Sequence, residues 1–171
     1  MTKTINLPLT KEKLNNLKAG DSVLINGIIY TARDAAHKRM IETGIYPFDI
    51  RNQVIYFAGP TPDKDDKIIG SCGPTTSSRM DAYSPILIKD GLTGMIGKGE
   101  RDKSVVDAMK TYGAVYFGAI GGCGALISKC IKSAKVIAYD DLGTEAIRQL
   151  TVENFPAVVV IDSKGNKLTE V

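Results

Sequence analysis

What this chain lacks narrows its possible roles before any motif is considered. It has only three cysteines, Cys72, Cys123 and Cys130, an odd and sparse set unlike the disulfide framework of a small secreted domain, so they are read as reduced thiols. Charge of one sign is missing too. With 22 Lys and Arg against 19 Asp and Glu, the net charge is +3, and no basic block is interleaved with aromatics. That balance predicts neither a nucleic-acid nor a membrane partner. No apolar run reaches transmembrane length, and Met1 to Pro8 hold none long enough for a signal peptide, so a soluble, cytoplasmic protein is expected. There is no internal repeat, no low-complexity segment and a single histidine, His37.

Of the 171 residues, 43% are hydrophobic and 24% charged, enough to build one globular domain over residues 1–171. Strand-like and helix-like stretches intermix. A strand at Ile5 to Leu7 precedes a helix capped by Thr10, with Leu14 and Leu17 on its buried face. Asn26-Gly27, between Val23-Leu24-Ile25 and Ile28-Ile29-Tyr30, predicts a hairpin with a type I′ turn. A helix through Ala35, Ala36, Met40 and Ile41 ends at Gly44, which leaves Arg33 at a strand-to-helix junction. Val54 to Ala58 is an apolar strand, and Pro60 to Lys67 an exposed turn. A helix opens after Thr76, kinked or split at Pro85, and Met95-Ile96 lead into a loop that carries Lys98.

Val105, Val106, Met109 and Tyr112 then space as a helix that stops at Gly113, followed by a strand over 114–117. A short helix bearing Cys130, a strand at Lys135 to Tyr139 and a hairpin around Ser163 to Asn166 complete the pattern. The mixture predicts a layered α/β or α+β fold.

The chemistry concentrates in Gly73-Pro74-Thr75-Thr76-Ser77-Ser78-Arg79-Met80-Asp81 and Gly94-Met95-Ile96-Gly97-Lys98-Gly99. Glycine and proline shape a turn, hydroxyls offer donors and acceptors, and backbone N–H groups opening a helix would add positive potential for a small anion. Arg79 stands four residues after Thr75, one helical turn on, so both can reach one ligand. Lys98 between two glycines is either an ordinary exposed loop lysine or a point charge reaching into a site. Thr75 and Thr76 are helix caps or ligand contacts. Arg33 can pair with Asp34 or Asp81 or bind a carboxylate through its fork. Asp81 either orients Arg79 or is solvated. His37, four residues after Arg33, can approach the same ligand, though a lone histidine often serves as a structural hydrogen-bonding group. The Gly118 to Ala125 run invites a phosphate-binding reading, but it contains neither GxxxxGK[ST] nor an intact GxGxxG.

These segments, with Arg33-Asp34-Ala35-Ala36-His37, the glycine-rich turn from Gly118 to Leu126 and the closing strand from Phe155 to Asp162, resemble the C-terminal domain, or β subunit, of class I fumarases and L-tartrate dehydratases. The resemblance implies a swivelling β/β/α architecture and reversible hydration of fumarate to L-malate, or dehydration of L-tartrate to oxaloacetate. It implies substrate binding by Arg33, Thr75, Thr76, Arg79 and Lys98, with Thr75 also a candidate for proton transfer or positioning, and His37, Gly73, Asp81 and Gly97 in support. It further implies a [4Fe-4S] cluster bound by a separate α subunit, no metal ligand in this chain, and an α2β2 heterotetramer acting on a dicarboxylate. A non-catalytic regulatory or scaffold subunit of the same fold is the alternative of another class; intact Arg33, Thr75, Arg79 and Lys98 speak against it.

Overall fold

The computed structural model describes residues 2–60, 70–119 and 127–169. Its sheet is seven-stranded, in the order β1 (Thr2–Asn6), β2 (Ser22–Thr31), β3 (Val54–Tyr56), β4 (Gly94–Gly97), β5 (Val115–Ala119), β7 (Ile147–Ile161) and β6 (Ile131–Ala138). Pairing of β2 with β7 closes β2, β3, β4, β5 and β7 into a small barrel, with β1 and β6 as additions on its rim. Strands β1 to β5 run parallel to one another, and β7 runs antiparallel to β2, β5 and β6. Helices α1 (Lys11–Leu14), α2 (Asp34–Thr43), α3 (Ser84–Lys89) and α4 (Lys103–Ala108) make the crossovers. The fold is thus mixed α/β, as expected.

Strand periodicity sorts the core into two layers. Val54, Tyr56, Ile96, Val115 and Phe117 point to one face and join Ile25, Ile29, Leu150 and Phe155 in one cluster. The alternate residues Ile55, Phe57, Met95 and Tyr116 point the other way and pack under Ala36, Met40, Leu87 and Val105 of the helices. Strands buried on both sides explain why 54–58 and 114–117 read as continuous apolar runs.

The expected hairpin at Asn26-Gly27 is absent: β2 runs unbroken from Ser22 to Thr31. One edge pairs with β1 and β3 and the other with β7 along nearly its whole length, and this ladder outweighs the local turn preference. The dipeptide forms a bulge instead, with Gly27 at φ 126° and so close to Leu7 that a Cβ would lie 2.9 Å from Leu7 Cβ.

The helix expected after Thr76 is also corrected. Thr75 N–H donates to Phe57 O (2.7 Å) and Ser77 N–H to Lys98 O (2.9 Å), so the chain is tied to the ends of β3 and β4 and then makes only a 3-10 turn at Ser77–Met80. No helix dipole adds potential there. Pro85 opens α3 in its first turn rather than kinking a longer helix. The expected loop lead-in at Met95-Ile96 is the central strand β4, and Lys98 follows it directly.

Elsewhere α2 ends as predicted, with Gly44 at φ 67° and its N–H on Met40 O. Thr10 precedes α1 without a side-chain cap bond, and Leu14 and Leu17 are buried. A helical stretch is present at 127–128, and Cys130 lies in the turn that ends it, its N–H donating to Ile127 O. The strand expected at 135–139 begins earlier, at Ile131. The Pro60 turn extends beyond the described residues, and Cys123 and most of the glycine-rich turn lie outside them.

Candidate active site

Three parallel strands deliver the candidate residues to one end of the barrel. Arg33 follows β2, Thr75 is tied to the residue that follows β3, and Lys98 follows β4. Open ends of parallel strands are where α/β folds commonly bind ligands, because the loops there are free to carry side chains while the strands hold their spacing.

Arg79 Nη2 donates to Thr75 Oγ1, so the four-residue spacing does bring the two side chains together. Arg79 Nε also lies 3.5 Å from Asp34 Oδ2, joining the turn to the start of α2. Because Thr75 Oγ1 accepts from Arg79, its own proton is free to be donated to a ligand. Thr76 pairs with Lys98 in an isolated parallel bridge, which sets Lys98 beside the hydroxyl segment. Arg33 lies across the bare backbone of Gly59, where a Cβ would come within 2.9 Å of Arg33 Cδ. Gly97 has a similar use: a Cβ there would overlap the Ser77 hydroxyl and lie 2.8 Å from Phe57 Cδ2.

Buried Arg33 Nε, Asp34 Oδ1 and His37 Nε2 have no hydrogen-bond partner among the described residues. An unsatisfied buried polar atom costs about 1–3 kcal/mol, and all three fall within one short segment. Arg79 and Asp34 remain 48% and 40% exposed, which makes the cation cluster an open face.

His37 lies behind that face. It is fully buried, edge-on to Phe57 with ring centroids 5.5 Å apart, and its Nδ1 is 2.9 Å from Arg33 O. A carbonyl only accepts, so Nδ1 carries the proton and steadies the backbone of Arg33; any support to a ligand passes through that residue. Burial above all pulls the imidazole pKa from its ordinary 6.5 down to about 4. The unfolded chain therefore takes up this proton first as pH falls, and stability drains between pH 6.5 and 4. The loss expected from His37 between pH 7 and pH 5 is about 2 kcal/mol. Urea unfolding at the two pH values should show it as a larger loss in the wild type than in His37→Asn.

Asp81 does not orient Arg79. Its Oδ1 accepts from Arg101 Nε at 2.7 Å and its Oδ2 from Asp102 N–H at 2.8 Å. Arg101 is the residue that sequence reasoning missed. Its side chain is wholly buried, with the guanidinium carbon 5.1 Å from the Phe57 ring centre and 5.0 Å from that of Tyr116, and Nη2 donating to Ser84 Oγ. Phe57 and Tyr116 are already apolar-run residues in the sequence, but nothing local marks Arg101 as their filling.

Burial pushes the Cys72 thiol up to about 12 and also raises that of Cys130. Gly73 lies between Cys72 and Pro74, ahead of Thr75. Among the described residues no three His, Cys, Asp or Glu side chains group to hold a metal ion. No helix among them is long and apolar enough to cross a membrane.

Fold and site together define a mixed α/β protein that carries arginine, lysine and hydroxyl groups at the ends of its parallel strands. By sequence the chain belongs to the Fumarase C-terminus family, whose model matches residues 1–171. It is 41% identical to a Methanocaldococcus jannaschii protein assigned as L(+)-tartrate dehydratase subunit beta, over 95% of this chain and 88% of that one. It is 40% identical to a Geobacillus stearothermophilus protein assigned as class I fumarate hydratase, over 98% of this chain but 33% of that one. Fumarate hydratase 2 of Leishmania major is 38% identical over 92% of this chain and 29% of its own length. The chain thus spans about a third of the fumarate hydratases it matches, 33% and 29%.

Proposed function

We propose that this chain is the β subunit of an iron–sulfur-dependent class I hydro-lyase that hydrates fumarate reversibly to L-malate. The observation that supports the reading is that Arg33 and Lys98 follow the parallel strands β2 and β4, which flank β3, that Thr76 bridges Lys98, and that Arg79 is bonded to Thr75. Two carboxylates of a four-carbon diacid suit two arginine forks, which bind carboxylate through paired hydrogen bonds. Taking a proton from carbon beside a carboxylate drives further charge onto that group. A lysine or arginine aimed at it gains strength as the charge develops, and so lowers the barrier rather than merely tightening binding. The Thr75 hydroxyl, with its proton free, positions the ligand or shares in proton transfer.

An open cluster holds anions weakly, because water screens each pair. Covering the face with another surface would strengthen every contact there. The reading therefore includes an α subunit that closes the site and binds the [4Fe-4S] cluster, in an α2β2 assembly in the cytoplasm, with the barrel as the swivelling β/β/α unit.

L-tartrate is the second substrate considered, favoured by the name of the Methanocaldococcus relative. It needs one more polar contact for its second hydroxyl. Anaerobic turnover of fumarate and L-tartrate by the reconstituted complex separates the two. Faster kcat/KM for fumarate is expected, and a preference for tartrate would reassign the substrate.

A further inference from the structure

Lys98 is exposed, yet the backbone that carries it is held from several sides. On its N-terminal side β4 lies between β3 and β5. Lys98 O accepts from Ser77 N–H at 2.9 Å. The Tyr116 hydroxyl, fully buried on β5, is 2.8 Å from Gly99 O and 2.8 Å from Ser77 Oγ. A phenol has one proton. The carbonyl can only accept it, so Ser77 must donate in turn to the phenol oxygen. One hydroxyl thereby ties the loop after β4 to the turn that carries Thr75 and Arg79. Gly99 sits at φ 88°, a backbone state open to glycine and rare for other residues, so the carbonyl direction needed for this bond is built into the loop.

We infer that Tyr116 is a positioning residue, whose hydroxyl fixes the backbone that carries Lys98 relative to the turn that carries Arg79 by clamping Gly99 to Ser77. The inference rests on the proposed hydro-lyase reading for its kinetic consequence, and on the two hydrogen bonds alone for its structural one. Electrostatic stabilisation depends on charges set in place before the reaction, so loosening a cation by even a fraction of its reach lowers turnover more than ground-state binding. Tyr116 touches no ligand-facing surface itself. Its ring is stacked inside, against the Arg101 guanidinium, and keeps that packing when the hydroxyl is removed.

Tyr116→Phe removes the hydroxyl at nearly constant volume, and Ser77→Ala removes the other end of the bridge. For the holo-complex each is expected to lower kcat for fumarate about tenfold, with KM changed less than about threefold. In the isolated chain, amides of 97–100 should exchange hydrogen faster in Tyr116→Phe than in wild type. Wild-type kcat in both variants, or a raised KM with kcat unchanged, would overturn the positioning role. If the wild-type complex turns over no dicarboxylate, the functional reading has failed, and exchange then decides the clamp alone: unchanged protection at 97–100 in Tyr116→Phe would refute it.

Discussion

Arg79→Ala is expected to lower kcat/KM for fumarate by about 10²–10³-fold while changing unfolding free energy by about 1 kcal/mol or less. The two numbers separate because of where the side chain sits. Its ion pair with Asp34 is long, 3.5 Å, and both partners are about half in water, so the folded chain gains little from it. On the proposed reading, its hydrogen bond to Thr75 Oγ1 holds it where an arriving anion would meet it. Arg79→Lys keeps the charge without the fork and should recover only part of the loss. Steady-state kinetics on the reconstituted complex, with urea unfolding of the isolated chain, measures both. Near-normal kcat/KM in Arg79→Ala would remove this residue from the site.

Arg101→Ala should do the opposite kind of damage, destabilising the chain by about 3–5 kcal/mol. Truncation leaves the Asp81 carboxylate, 14% exposed, with only the Asp102 N–H, and opens a void between the Phe57 and Tyr116 rings. A buried charge stripped of its partner accounts for most of that cost, so the double variant Arg101→Ala, Asp81→Asn should recover a measurable share. Urea unfolding tests both. A loss below about 1 kcal/mol in the single variant would mean the pair is solvated in solution.

Arg101 also marks the boundary of what the sequence made legible. Periodicity and a glycine stop located α2, because a helix on the outside of a sheet shows its buried stripe, here in Ala36 and Met40. Thr75 and Arg79 were readable as a pair because their contact depends on local spacing. The association of Asp81 with Arg101 spans twenty residues and two aromatic rings, one just after β3 and one on β5, so no local pattern encodes it.

Strand β4 was hidden for another reason. Met95 and Ile96 are its only side chains larger than hydrogen, since bare backbone is required where Gly94 meets Val54 and Gly97 meets Ser77. The first half of β7 escaped because polar Arg148 and Gln149 interrupt its alternation between Ile147 and Leu150. Asn26-Gly27 misled because turn chemistry and bulge chemistry call for the same residues. The motifs shared with class I fumarases and tartrate dehydratases pointed to the family, and the family match over residues 1–171 agrees with them.

On the proposed reading, this chain carries one part of an active site and a partner subunit the other. Anaerobic fumarate hydration should therefore be assayed with this chain alone, with an iron-loaded α partner alone, and with the two mixed. Turnover is predicted only in the mixture. Activity of this chain by itself, or no activity in an assembled complex with an intact cluster, would contradict the divided site.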